Sequence, residues 1–333
     1  MRIMRRDCTP GQAPFLLAAV EKARLGEVKT IMADHYVQLD QDGSRVGTWE
    51  FTDTECYRLD SHPRQGGIYH YTAENQDALW ALLGEKNAWF REGQGATFHR
   101  LDLGAGKYHP RMARPEQPGR DRDNIWYPGE AADRATIAKA RGQLAVLART
   151  LEQVCQTVHP EGTNLDAYGH DIRNLLILAC TEVEAHWRGV LAANGLPLDR
   201  PNTTDYVKLA RPMRLREYAV SIGAFPWIEP IAPFGGWGTA GKPTQELPWY
   251  DAYNDTKHDR DGQFPRATLR HAMEAVCANV VMAVAQYGLE RALGDGSMLI
   301  ANYTLVATPD WKPADLYTPP HDAPEWTSEP FGF

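Results

Sequence analysis

Along residues 168–194, Ile172, Leu176, Ala179, Val183, Trp187 and Val190 recur at three- and four-residue steps. That spacing predicts one long helix with a buried apolar face. Asp166 and Asp171 are candidates to cap its start, and Gly195 suits the left-handed residue just past its end. A second stripe on the same helix is polar. At about 100° per residue, His170, Arg173, Ile177, Cys180, Glu184 and Arg188 fall on one line. Charges that border a strongly apolar face need partners, on another segment or on a second copy of the chain.

Two further stretches share the helical period. Ile137, Ala140, Leu144, Leu147, Leu151, Val154 and Val158 form a seam that His159-Pro160 ends. The short connection that follows predicts antiparallel packing of this helix on the next. Residues 267–293 read as a third long helix, with Leu269, Met273, Val276, Val280, Ala283 and Tyr287 as its seam. Between them, Thr203-Thr204-Asp205 caps a shorter helix, and Pro212 interrupts it. Residues 223–248 form a Gly/Pro/Trp-rich irregular insertion, and 249–258 read as a short helix. Before residue 107 the period shifts to two. Residues 28–39 and 45–52 flank the turn dipeptide Asp42-Gly43 as a hairpin, and 67–71 read as another strand. Residues 89–91 and 96–103 read as extended. Thr72 is placed to cap a helix that Gly84 stops, and 12–25 form a short helix. Residues 107–130 have the composition of a solvated linker, and 299–306 one strand of an extended tail.

The fold class is therefore α+β. A small α+β domain (1–128) precedes an α-helical bundle (129–295), and a tail (296–333) completes the chain. Composition adds bounds. With 43% apolar residues, ten Trp and fourteen Tyr, 333 residues can bury a sizeable core. The net charge of −8 argues against a wholly basic nucleic-acid coat, though not against a local basic pocket. Five scattered cysteines without C-x-x-C suggest reduced thiols, hence a cytoplasmic location. The basic and apolar start of the chain is too short and interrupted for a secretory signal. No run of apolar residues is long enough to span a bilayer, so no membrane partner is expected.

Several familiar chemistries are poorly supported. Gly236 to Lys242 has Walker spacing, but Pro243 stands where a Ser or Thr should hold the metal, so a flexible glycine loop is expected. Glu182 and His186 sit at i, i+4 and read as a surface ion pair. There is no H-E-x-x-H and no G-x-S-x-G, and no metal or cofactor is expected. Residues 249–260, WYDAYNDTKHDR, are richer. On a helix, Asn254 and His258 share a face, with Lys257 beside them and Arg260 at the end. An imidazole can take and give a proton near neutrality, and adjacent cations can hold phosphate. That set suits metal-independent RNA cleavage by the 2′-hydroxyl. The same groups also suit a structural lock between the insertion and the bundle.

Taken in order, Glu184-Ala-His-Trp-Arg188 and Asn254-Asp-Thr-Lys-His258 give residues 132–295 a resemblance to HEPN domains, helical bundles of bacterial defence and toxin–antitoxin systems. The resemblance implies a homodimer acting as a metal-independent endoribonuclease or binding RNA. His258 would be the acid/base, Asn254 would orient it, and Glu184 would fix Arg188. Lys257, Arg260 and Arg173 would be candidate phosphate-binding cations. Members carry an arginine just before the polar residue, where this chain has Tyr253. The alternative is accordingly a non-catalytic module that binds a partner protein or a nucleotide through the insertion.

Overall fold

A computed structural model of the chain describes residues 33–59, 69–86, 97–116, 125–259, 262–320 and 325–333. The helix expected at 12–25, the extended stretch at 89–91 and Arg260 lie outside these residues.

Both α and β structure are present, as the alternating periods require. Strands β1 (Asp34–Leu39) and β2 (Arg45–Phe51) pair antiparallel around Gly43, whose φ of 79° suits the turn. With β3 (Glu55–Arg58), β4 (His70–Thr72) and β5 (Thr97–Arg100) they form an antiparallel sheet in the order β4-β3-β2-β1-β5. Helix α1 (Gln76–Lys86) covers one face, where Leu79 and Leu83 meet Trp49, Phe51 and Cys56. Asn75, not Thr72, begins this helix, accepting the amide of Ala78 at 2.9 Å. The helix also runs through Gly84. Glycine there costs about 1 kcal/mol, less than the burial of the two leucines returns at about 2 kcal/mol each. Val37 and Leu39 point to the opposite face, against Leu101 and Leu316.

The described parts of the segment expected as a solvated linker, 107–116 and 125–130, are packed instead. Strands β6 (Lys107–Tyr108) and β7 (Arg114–Pro115) flank the buried Met112 and Ala113. Strand β8 (Ile125–Trp126) pairs with β7. Charges along this stretch suggested solvent, but Tyr108, Met112, Ile125 and Tyr127 supply the apolar surface that joins the helical core.

That core is built from α2 (Glu130–Thr157), α3 (His170–Ala193), the short α4 (Thr203–Tyr206), α5 (Pro248–His258) and α6 (Leu269–Tyr287). The seam of α3 is buried as the spacing requires; that of α2 is buried except at the half-buried Ala140 and Val158, the latter just past its end. Neither Asp166 nor Asp171 caps α3; Gly169 stands at its start without a side-chain bond, while Gly195 takes a φ of 80° past its end. Asn202 and Asp205 form the capping box of α4. The most enclosed element is α6, which is buried on nearly every face between α2, α3 and α5. Its alanines allow close approach, and Asn279 donates to the carbonyl of Ala179 on α3 at 2.9 Å. The helix ends earlier than its apolar pattern predicts. Gly288 has a φ of 80°, and a Cβ there would lie 2.4 Å from the carbonyl oxygen of Ile125, so the chain restarts as α7 (Leu289–Leu293).

Helix α8 (Met298–Asn302) leads into β10 (Tyr303–Ala307), which pairs with β9 (Ala219–Ile222). The tail then returns over the molecule. Leu316 meets the sheet, the Tyr317 hydroxyl donates to the carbonyl of Met112, and β11 (Thr327–Ser328) runs parallel to β6. No described helix is long and apolar enough to cross a membrane.

A tyrosine-lined polar cluster between two helices

Helix α5 starts with Pro248 at its first turn, a position where the missing amide costs nothing. Its apolar positions turn Trp249, Tyr250 and Tyr253 inward toward Trp187 of α3. Trp187 lies 4.9 Å from both Trp237 and Tyr206 and 5.3 Å from Tyr250, ring centre to ring centre. This aromatic nest fixes α5 against the polar stripe of α3.

Within it the Tyr250 hydroxyl donates to Oε1 of Glu184 at 2.8 Å. Burial, and then the Glu184 charge, push the Tyr250 phenol well above its ordinary value, so it remains a donor. Burial and the same carboxylate push Tyr206 up to about 12. Tyr253, the residue just before Asn254, is buried. Its hydroxyl accepts from the Lys257 ammonium at 3.0 Å, and the ammonium lies 5.0 Å from the ring centre. That hydrogen bond first, with the Glu184 charge assisting, raises the lysine pKa. Lys257 and Arg188 are both exposed, and Lys257 feels Glu184 and Arg188 electrostatically. Three of the expected residues, Glu184, Arg188 and Lys257, thus come together.

The others are placed differently. Arg188 makes a long bond of 3.4 Å to the Glu184 carbonyl within its own helix, and among the described residues no ion pair joins the two side chains. Asn254 is half-buried and His258 exposed. Neither is hydrogen-bonded to Glu184 or Arg188 among the described residues. Arg173 lies three turns earlier on α3, with a buried Nε that has no acceptor. Arg266 was not anticipated. It grips Asp251 at 2.9 Å, and Asp255 as well, tying the chain after α5 back onto that helix.

The i, i+4 pair Glu182/His186 is not a surface ion pair. His186 is buried and accepts at Nδ1 from the Gln286 amide at 2.9 Å, which assigns its proton to Nε2. Burial, and then the nearby Arg111 charge, lower His186 to about 3. Arg111 in turn donates Nε and an Nη to Gln286 at 2.9 and 2.6 Å. Sequence spacing gave no sign of this long-range clasp; the half-buried glycine at 189 marks where Arg111 crosses α3. A Cβ there would lie 1.8 Å from an Arg111 nitrogen.

The glycine loop with Walker spacing does form an anion cradle, and its occupant is internal. The Glu246 carboxylate accepts the amides of Gly238, Ala240 and Lys242 at 2.5, 2.6 and 3.2 Å. Desolvation raises the Glu246 pKa, but these backbone donors outweigh it and the net shift is downward. The same insertion walls a cavity of about 550 Å³ between Trp227 and Trp249. Glu161, Glu229, Glu246 and Glu274 line it, with Arg270 as the cation. A nucleotide phosphate expected there would face repulsion. The four described cysteines 56, 155, 180 and 277 are free thiols, and the described residues contain no cluster of three or more potential metal ligands.

Comparison with known proteins returned no matching family model, no similar curated protein and no similar solved structure.

Proposed function

We propose that this chain is a HEPN-like, RNA-binding helical module, and that the face shared by α3 and α5 grips the phosphate backbone without cutting it. The observation that carries this is the Tyr253–Lys257 contact. Where the family pattern has an arginine, a buried tyrosine holds a lysine ammonium beside Arg188 and Glu184. Two exposed cations side by side suit a phosphodiester, and Glu184, engaged by Tyr250, keeps that surface from being indiscriminately basic.

A second reading is metal-independent cleavage, with His258 as acid/base and Asn254 orienting it. It is favoured by the exposure of His258 next to Lys257. One experiment separates the two. Labelled single-stranded RNAs are incubated with the chain in EDTA, and both retention and cleavage are measured. Binding without cleavage, steep in salt and lost in Arg188→Ala and Lys257→Ala but kept in His258→Ala, supports the binding module. Cleavage lost in His258→Ala supports the nuclease. If RNA is neither bound nor cut, both readings fail.

A further inference from the structure

We infer that a second, basic cleft binds the phosphate group of a small phosphorylated molecule. It lies between residues 102–114, the turns at 208–217 and the tail at 311–317 and 331–333, and shares no lining residue with the α3/α5 cluster. Its volume is about 790 Å³, within the range of about 300–1,000 Å³ common for small-molecule sites.

The charge balance runs against that of the whole chain. Arg114, Lys208, Arg211, Arg214, Arg216 and Lys312 line the cleft, in a protein of net charge −8. Three side-chain carboxylates oppose them, and two are already engaged. Glu217 holds Arg214 through both oxygens at 2.7 and 2.8 Å, and Asp315 accepts the Lys312 amide at 3.2 Å. The third, Asp102, is exposed.

Arg114 is the informative member. Only 5% of it is exposed. Its guanidinium donates to the carbonyls of Pro212 at 2.8 Å and Ala113 at 3.3 Å, and lies 4.4 Å from the Trp311 ring centre. No carboxylate pairs with it among the described residues. Carbonyls and a ring face satisfy its donors in part but do not neutralise its charge, and a buried cation without a counter-ion is costly. Trp311 gives a second, independent sign. It is buried in the wall of the same cleft, and its indole N–H has no acceptor. An uncompensated guanidinium and an unused donor beside one cavity call for an anion that also accepts hydrogen bonds.

Phosphate fits better than a single carboxylate. Arg114, Arg211, Arg216 and Lys312 all lack carboxylate partners among the described residues, so the surplus suits a dianion with several acceptor oxygens. Arg214 sits in the left-handed region at a φ of 50°, which costs about 1–2 kcal/mol for a residue with a Cβ; Glu217 and the Asp310 carbonyl keep it there. Phe331 and the exposed Phe333 line the same cleft and offer ring faces to the organic part of the ligand.

The test is calorimetric titration of the full chain, at constant ionic strength, with inorganic phosphate and with adenosine 5′-monophosphate. Saturable binding is expected, weakened about tenfold or more by Arg211→Glu and by Arg216→Glu, the change one lost charged contact produces. Both arginines are exposed, so the variants should melt like the parent, and the exposed Arg149→Ala, outside both clusters, should bind unchanged. Equal affinity for the two probes assigns the site to free phosphate. Tighter binding of the nucleotide assigns it to a phosphate monoester. The inference is overturned if neither probe binds, or if both variants bind like the parent. It is equally overturned if single-stranded RNA alone binds and does so through Arg211 and Arg216.

Discussion

The hydroxyl of Tyr250 donates to Oε1 of Glu184 at 2.8 Å, and the carboxylate that begins the E-x-x-x-R pattern is thereby committed to the interface between α3 and α5. This bond is the polar seam of an otherwise aromatic contact around Trp187. Glu184 is half-buried, so its partner cannot be replaced fully by water. Tyr250→Phe keeps the ring packing and removes the donor, and a loss of about 1–2 kcal/mol is expected. Urea denaturation measures it. Glu184→Gln placed on Tyr250→Phe should cost less than it does alone, because the shared bond is already gone.

A similar argument applies to the clasp around Gln286. Gly189→Ala would drive a methyl group into the Arg111 guanidinium, which passes over α3 where no Cβ stands. The guanidinium must then leave the Gln286 oxygen that takes both its bonds. Overpacking and a lost charge-assisted bond together should cost about 2–3 kcal/mol. The readout is a lowered urea midpoint with an unchanged m-value; a midpoint equal to that of the parent would show that Arg111 moves freely.

The buried His186 and the half-buried Glu274 set opposite slopes in the dependence of stability on pH. His186 falls to about 3, through burial and then the Arg111 charge, from an ordinary 6.5. Below pH 6.5 the unfolded chain takes up the proton first, so the unfolded state binds more protons and stability falls as pH drops toward 3. The slope approaches about 1.4 kcal/mol per pH unit for one group. Glu274 behaves oppositely. Burial raises it to about 7 from 4.5, despite the Arg270 charge. The fold then keeps a proton that the unfolded chain releases, and stability falls as pH rises from 4.5 to 7. Between pH 4.5 and 6.5 the two slopes offset, so over that window His186→Gln should leave stability falling as pH rises and Glu274→Gln should leave it rising, in unfolding free energies measured across pH 4–8.

Local signals carried much of the architecture. Asp42-Gly43 marked the hairpin, the seams of α2 and α3 marked their buried faces, and Gly195 marked a helix end, because each rests on a period or a backbone angle that neighbouring residues determine. The contacts that shape the candidate site are long-range. Asn254 and His258 share a helical face with each other, but Tyr250 and Tyr253 face α3, and the wheel alone does not say which face meets which neighbour. The packing of 107–116 and 125–127 was hidden for a related reason. Alternating charges dominate its composition, while the few aromatics that anchor it find partners in α6 and the tail, more than a hundred residues away. The expected helix 267–293 ran through Gly288; its φ of 80° breaks the helix there, and the Ile125 carbonyl, 2.4 Å from where a Cβ would stand, leaves room for no larger residue.

The glycine loop of the insertion supplies a last test. Its backbone amides converge on the Glu246 carboxylate, which takes the place a phosphate would fill in a nucleotide-binding loop. Glu246→Gln preserves size but replaces one acceptor oxygen by an NH₂ group, which repels the amides it faces. The loop then loses the anchor that closes 238–242 onto 246. Because the carboxylate pKa is lowered in the fold, the anchor is present above the ordinary glutamate value of 4.5 and is lost as pH falls through the lower folded value. At neutral pH, Glu246→Gln should therefore be cut within 223–248 by a broad-specificity protease well before the parent is, with α3 and α6 left intact. Equal cleavage rates in the two proteins would show that the loop is held by its packing on Trp237 and Trp249, and that the carboxylate adds nothing.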